Sequence, residues 1–304
     1  SGIFSLNLKL RRGQILGLVG PNGAGKTTLM RILAGIYPIQ KGKIKYNKSK
    51  SNNLSSISEM ELRSVVGHMP EQVRWQGKTT VKRALEDIAE MRGVAFRVDG
   101  ILTMVGLSEM KDSELDQLSQ GMRQRLTLAT ALLGSPKILL LDEPFSALDE
   151  NLKEKLLADV KILLKEEKIT TIVITHNIKE AFQISDKIAF LSNKKIIQCD
   201  SAYNIYHKPL TREIANFCGI GSFINGEIID KNHVVTNLGK HFGDTTPYEI
   251  GSSIDILIRP DDIIHDDNST ESAQVIEKIF HGSDFLYKLK LNSGENIFCY
   301  TPSH

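Results

Sequence analysis

Gly20-Pro-Asn-Gly-Ala-Gly-Lys-Thr27 fits the pattern G-x-x-x-x-G-K-[ST] and constrains this chain more than any other stretch. Ile15-Leu-Gly-Leu-Val19 before it is an apolar run of the kind a buried parallel strand carries, and Thr28-Leu-Met-Arg-Ile-Leu-Ala34 after it has helical apolar spacing. Strand, glycine loop and helix form the context in which such a loop wraps nucleotide phosphates. Glycines let backbone N–H groups converge on phosphate oxygens, and the helix that follows adds the positive end of its dipole. Gly20, Pro21, Asn22, Gly23, Ala24, Gly25, Lys26, Thr27 and Thr28 are therefore the expected triphosphate cradle. Lys26 is expected to reach the β and γ phosphates, and the Thr27 hydroxyl to bind Mg2+. A glycine turn without a ligand is the competing reading, and the Lys-Thr pair in register argues against it.

At 304 residues the chain is longer than most single domains, so two are expected. With 41% hydrophobic and 24% charged residues it has the composition of an ordinary globular protein. A net charge of +2 gives no reason to expect nucleic acid as a partner. Lys41, Lys43, Lys45, Lys48 and Lys50, interleaved with Ser and Asn and lacking an aromatic platform, read as a solvated loop or hairpin edge. Cys199, Cys218 and Cys299 are odd in number and far apart, which argues against a disulfide framework or a metal site and fits a reducing, cytoplasmic setting. No apolar stretch approaches the roughly 20 residues of a spanning helix and no signal peptide opens the chain, so any membrane role is expected to come through a separate partner. Ser1 stands almost inside the first strand region, so the natural N-terminus is expected to be missing.

Segment 3 to 19 alternates, turns at Arg12-Gly13 and becomes continuously apolar, as an outer strand leading to an inner one. Residues 36 to 70, broken by Ile44 and by Leu62 to Val66, read as a small strand-rich arm, and Met69-Pro-Glu-Gln72 closes a strand with a polar side chain. Residues 79 to 133 read as a helical insertion, with Val81, Leu85, Ile88 and Met91 on one face, and Ser119 as N-cap of a helix running to Leu133. Ile138 to Asp142 reads as a buried strand that ends in two carboxylates. Strand residues alternate in direction, so Asp142 and Glu143 divide the labour, Asp142 toward the Mg2+ shell and Glu143 toward an attacking water. Residues 151 to 167 read as an amphipathic helix, and Thr170 to Thr175 as a strand ending at His176, which shares the ligand edge of the sheet with Lys26 and Asp142. From about residue 220, β-like runs at 223 to 229, 254 to 258, 275 to 280 and 285 to 291 point to a small all-β domain.

Taken together, Gly20 to Thr27, Gln72, Leu118-Ser-Gln-Gly-Met122, Leu139-Leu-Leu-Asp-Glu143, Ser146-Ala-Leu-Asp149 and His176 resemble, in order and spacing, the nucleotide-binding subunits of ABC transporters, across residues 3 to 219. The resemblance implies an α/β P-loop NTPase cassette (RecA-like core, antiparallel β arm, helical subdomain at about 79 to 133) over residues 1 to 219. A small all-β OB/TOBE-like regulatory domain is implied at 220 to 304. By resemblance Gln72 links the lobes, senses the membrane subunit and joins the Mg2+ site. Ser119, Gln120 and Gly121 cap the nucleotide of the opposite subunit, Asp149 contacts that subunit and His176 contacts the γ-phosphate. Glu143, His176 and Lys26 are the implied catalytic residues for ATP hydrolysis in a head-to-tail homodimer.

The chain departs from the pattern in two respects, its signature and its adenine platform. Gln120 and Met122 replace the third and fifth residues of Leu-Ser-Gly-Gly-Gln, and the aromatic residue that stacks on adenine has no counterpart. Ser185-Asp-Lys-Ile-Ala-Phe-Leu191, Ile205-Tyr-His-Lys-Pro209 and Ile258-Arg-Pro-Asp-Asp-Ile263 resemble importer ATPases with a TOBE domain, which handle ferric iron, polyamines, sulfate, molybdate and sugars. Gly-Pro-Asn-Gly-Ala-Gly and Gln-Gly-Met-Arg-Gln-Arg look more like exporters, the alternative reading; a soluble ABC-type regulatory protein is a third. The importer reading implies ferric iron or another small ion as cargo, integral membrane permease subunits as partners, a solute-binding protein as an indirect one, and a peripheral place on the cytoplasmic face of the membrane.

Overall fold

The computed structural model describes residues 6–46, 55–71, 73–94, 97–146, 148–266, 269 and 272–303. It divides into two compact units, Ser1–Leu210 and Thr211–His304.

In the first unit the strands are β1 (Ile15–Val19), β2 (Lys45–Tyr46), β3 (Ser55–Ser56), β4 (Val66–Met69), β5 (Ile138–Asp142), β6 (Thr170–Ile174), β7 (Lys187–Ser192) and β8 (Lys195–Asp200). The helices are α1 (Lys26–Leu33), α2 (Glu59–Val65), α3 (Val81–Met91), α4 (Val98–Met104), α5 (Gln120–Leu132), α6 (Glu150–Glu166), α7 (Ile178–Ile184) and α8 (Ala202–His207). Six strands form one sheet in the order β4-β5-β6-β1-β7-β8, parallel except for the antiparallel β7–β8 edge. The central strands β1, β5 and β6 are largely apolar because both their faces are covered, whereas the edge strand β8 carries Lys195, Gln198 and Asp200. Leu139 and Leu141 enter one core with α5 and α6, while Leu140 enters the other with Leu29 and Met30 of α1. Ile15 and Leu16 of β1 divide the same way.

Register decides what meets at the sheet edge. Asp142 pairs with Ile174, and Ile174 with Leu18. The chain therefore leaves β1, β5 and β6 at one level, and the glycine loop, the acid pair and His176 emerge side by side.

Two local expectations are corrected. Residues 6 to 14 form no strand; Leu6, Leu8 and Leu10 still face the core, but among the described residues none completes a ladder with them. Leu62 to Val65 lie in helix α2 rather than in a strand-rich arm, of which the described residues show the short β2–β3 pair. The cause is a capping box: Ser58 Oγ accepts from the Glu61 N–H, and Glu61 Oε2 accepts from the Ser58 N–H. The insertion between β4 and β5 carries α3, α4 and α5 with two short 3-10 turns between α4 and α5.

The second unit opens with α9 (Arg212–Cys218), followed by β9 (Ser222–Asp230), β10 (His233–Thr236), β11 (Gly239–Phe242), β12 (Ser253–Ile258), β13 (Ala273–Phe280), β14 (Asp284–Leu291) and β15 (Asn296–Pro302). They form antiparallel sheets ordered β11-β10-β9-β12 and β13-β14-β15 around Ile224, Ile258, Leu291 and Ile297. Its start at Thr211 precedes the residue 220 read from the sequence, because α9 is held from the β side. Arg259, only 2% exposed, donates from Nη1 to the carbonyls of Ala215, Gly219 and Ile220 at 3.0, 3.1 and 3.2 Å. Replacing Arg259 by Met strips the buried Ala215 carbonyl and two part-buried ones of their donor, so Arg259→Met is expected to lower the stability of this unit by roughly 1.5 to 3 kcal/mol, read from its urea midpoint.

Candidate functional site

The glycine loop leaves β1 with Gly20 at φ +145°, packed so closely that a Cβ there would lie 2.0 Å from the Leu191 carbonyl oxygen. Gly25 at φ +109° is the N-cap of α1, a left-handed turn that aims the first N–H groups of the helix at the loop. Lys26 folds back across that loop, its Nζ donating to the carbonyls of Gly20 at 2.7 Å and Pro21 at 3.0 Å. Burial lowers the pKa of its ammonium, opposed by the nearby charges of Glu143 and Asp142. Pro21, Asn22, Gly23 and Thr27 are exposed, Gly25 and Thr28 half-buried and Ala24 buried.

Asp142 is the last residue of β5, and by strand alternation it faces the same side as Leu140, toward α1. Asp142 is 5% exposed, and burial, reinforced by Glu71, raises its pKa against the pull of Arg31 and Lys26. Glu143 breaks the alternation: its backbone turns to φ +49°, while its N–H still donates to the Ile174 carbonyl at 3.0 Å. A non-glycine residue in this region stores strain of the kind found at functional sites. The turn sends the side chain to His176, whose Nδ1 lies 2.8 Å from Glu143 Oε2. Burial raises the Glu143 pKa as well, partly offset by His176.

Thus Lys26, Asp142, Glu143 and His176 converge at one edge. Ser119, Gln120 and Gly121 do not join them: among the described residues no hydrogen bond links the two groups. Ser119 caps α5 by accepting from Met122 N–H at 3.3 Å, and Gly121 is buried, with any Cβ falling 2.7 Å from Leu152 Cδ2 on α6. Asp149 is exposed and caps α6, accepting from Leu152 N–H at 3.0 Å. Gln72 lies outside the described residues.

Gln124, which the sequence reading passed over, is buried on α5 and donates from Nε2 to the Pro144 carbonyl at 2.6 Å, tying the helical insertion to the turn after the acid pair. Its signal was a neutral polar residue one turn from Gly121 and from Leu128 on the inner face.

A metal fits the donor set. The Thr27 hydroxyl and the Asp142 carboxylate are hard oxygen ligands of the kind Mg2+ takes, usually completed by phosphates and water. Among the described residues no group of three or more His, Cys, Asp or Glu could hold a metal ion.

Comparison with known proteins agrees with this geometry. Residues 3–146 match a family model described as ABC transporter. A spermidine/putrescine import ATP-binding protein of Spiroplasma citri is 35% identical over 265 residues, covering 85% of this chain and 74% of that protein. An Fe(3+) ions import ATP-binding protein of Fusobacterium nucleatum is 30% identical over 306 residues, covering 97% and 81%. Among solved structures, the dimeric bacterial ABC transporter cassette MJ0796 superposes with a TM-score of 0.53 at 26% identity, over 65% of this chain and 89% of that one. The same cassette bound to ADP and Pi, in a post-hydrolysis state, gives 0.52 at 27%. No helix among the described residues is long and apolar enough to cross a membrane.

Because a Cβ at Gly20 meets backbone rather than a movable side chain, Gly20→Ala is expected to displace the loop. Equilibrium binding should show ATP affinity reduced at least about tenfold, or roughly 1.4 kcal/mol.

Proposed function

Because this chain belongs to the ABC transporter family and hydrolyses ATP as an importer-type subunit, we propose that it drives uptake of a small cationic solute, with polyamine as the cargo class. It acts as a dimer and with membrane permease subunits, as its relatives' names and the dimeric cassette support. A solute-binding protein delivers the cargo, and the subunit sits on the cytoplasmic face of the membrane. The β-rich unit from Thr211 is a TOBE-like regulatory domain.

One observation carries the catalytic reading: β1, β5 and β6 end in register and deliver Lys26, Asp142 and the Glu143–His176 pair to one place. The loop N–H groups and Lys26 bind the β and γ phosphates. Thr27 and Asp142, with Gln72 joining on closure, would hold Mg2+, which would offset the charge of the phosphate oxygens. Glu143 orients the attacking water and accepts its proton, and its raised pKa makes it a better base at neutral pH than an ordinary carboxylate. His176 holds Glu143 Oε2 through Nδ1 and turns its other ring nitrogen to the γ-phosphate. Ser119, Gln120 and Gly121 complete the site of the other subunit, and Asp149 touches that subunit.

A second cargo reading, ferric iron, is favoured by the Fusobacterium alignment, which spans 97% of this chain. Uptake of labelled spermidine and of labelled ferric iron by cells with and without the subunit separates the two; polyamine uptake should depend on it, and dependence of iron uptake alone would overturn the first reading.

Glu143→Gln is expected to keep ATP binding and to lower steady-state hydrolysis by roughly 10²- to 10⁴-fold. Light scattering with ATP should show that variant as a dimer. For the native protein, the base must be ionised and burial raises its pKa, so hydrolysis should fade as pH drops, at a pH above the usual glutamate value of about 4.3. The acid limb of the pH–rate profile checks this.

A further inference from the structure

His176 is 62% exposed at its side chain, so packing does not fix the ring that meets Glu143. What fixes it is the backbone on either side. Thr175, fully buried, donates from Oγ1 to Glu180 Oε2 at 2.5 Å and accepts on the same oxygen from the Asn177 N–H at 3.0 Å. Glu180, 5% exposed on α7, uses its other oxygen for Lys153 Nζ at 3.2 Å. Lys153 stands in the first turn of α6, where its N–H donates to the Asp149 carbonyl at 2.9 Å. A continuous path of short bonds thus runs from the start of α6 through Lys153, Glu180 and Thr175 to His176 and Glu143.

A buried ion pair is a poor stabiliser, since well-packed apolar residues in its place are often neutral or better. Its merit is direction. Lys153 Nζ holds one carboxylate oxygen of Glu180, and the other is then presented as a fixed acceptor to Thr175. We propose that Glu180, supported by Lys153, is a positioning residue for ATP hydrolysis, holding Thr175 and thereby His176 in hydrogen-bonding position on Glu143. This rests on reading the sheet edge as the hydrolytic site.

The test uses the full chain with two readouts. In steady-state ATPase assays, Glu180→Gln and Thr175→Val should lower kcat by roughly 10- to 100-fold, the range a small misplacement near the chemistry produces. KM for ATP should stay within about twofold, because the loop that binds phosphate is untouched, and Lys153→Arg should keep kcat within about threefold of the parent. In NMR of the histidine-labelled protein, the His176 ring resonance, assigned by its loss in His176→Ala, should shift or broaden in Glu180→Gln and in Thr175→Val and stay in place in Lys153→Arg. Unchanged kcat, a loss confined to KM, or an unmoved His176 resonance in a folded variant overturns the proposal. A parent protein without ATPase activity would sink the site reading instead, and the resonance would still decide whether Glu180 positions His176.

Discussion

The parallel pairing of β5 to β6 and of β6 to β1 is the constraint on which the rest depends. Asp142 opposite Ile174, and Ile174 opposite Leu18, fix where three segments leave the sheet. A slip of one residue would turn Asp142 to the other face, into the core shared with α5 and α6. The continuous apolar runs make such a slip expensive on both faces at once, since Leu139 and Leu141 pack on one side and Leu140 on the other. Chemistry at the edge is thus secured by burial in the middle of the sheet.

Charge at that edge is held in tension. Asp142 and Glu143 are both driven toward their neutral forms by burial, and Lys26 is driven the same way, yet each lies in the field of an opposite charge. Such mutual support in a poorly hydrated place is how active sites keep groups ready to exchange partners. The left-handed backbone at Glu143 serves the same end, since it separates two adjacent carboxylates that would repel each other if aimed together.

Much of this was legible in the sequence, because the strong signals were ones with a period or a fixed spacing. The loop Gly20 to Thr27, the strand ending in Asp142 and the strand ending at His176 each pair an apolar run with a chemical residue at its end, and all three lie where that pattern puts them. The cap at Ser119 was readable for the same reason. Contacts between elements were not. Leu62 to Val65 looked strand-like by composition, and the Ser58-x-x-Glu61 box outweighed it. Gln124 on Pro144 and Arg259 on the end of α9 are distant partners in sequence, and no local pattern announces them. Leu6, Leu8 and Leu10 show the converse, an alternation that buries its apolar side without forming a strand.

The absence of a side chain at Gly121 has a mechanical outcome. With Leu152 Cδ2 only 2.7 Å from where a Cβ would stand, the Leu152 side chain of α6 occupies the space that any larger residue at position 121 would need. The serine-capped start of α5 is thereby seated beside the aspartate-capped start of α6.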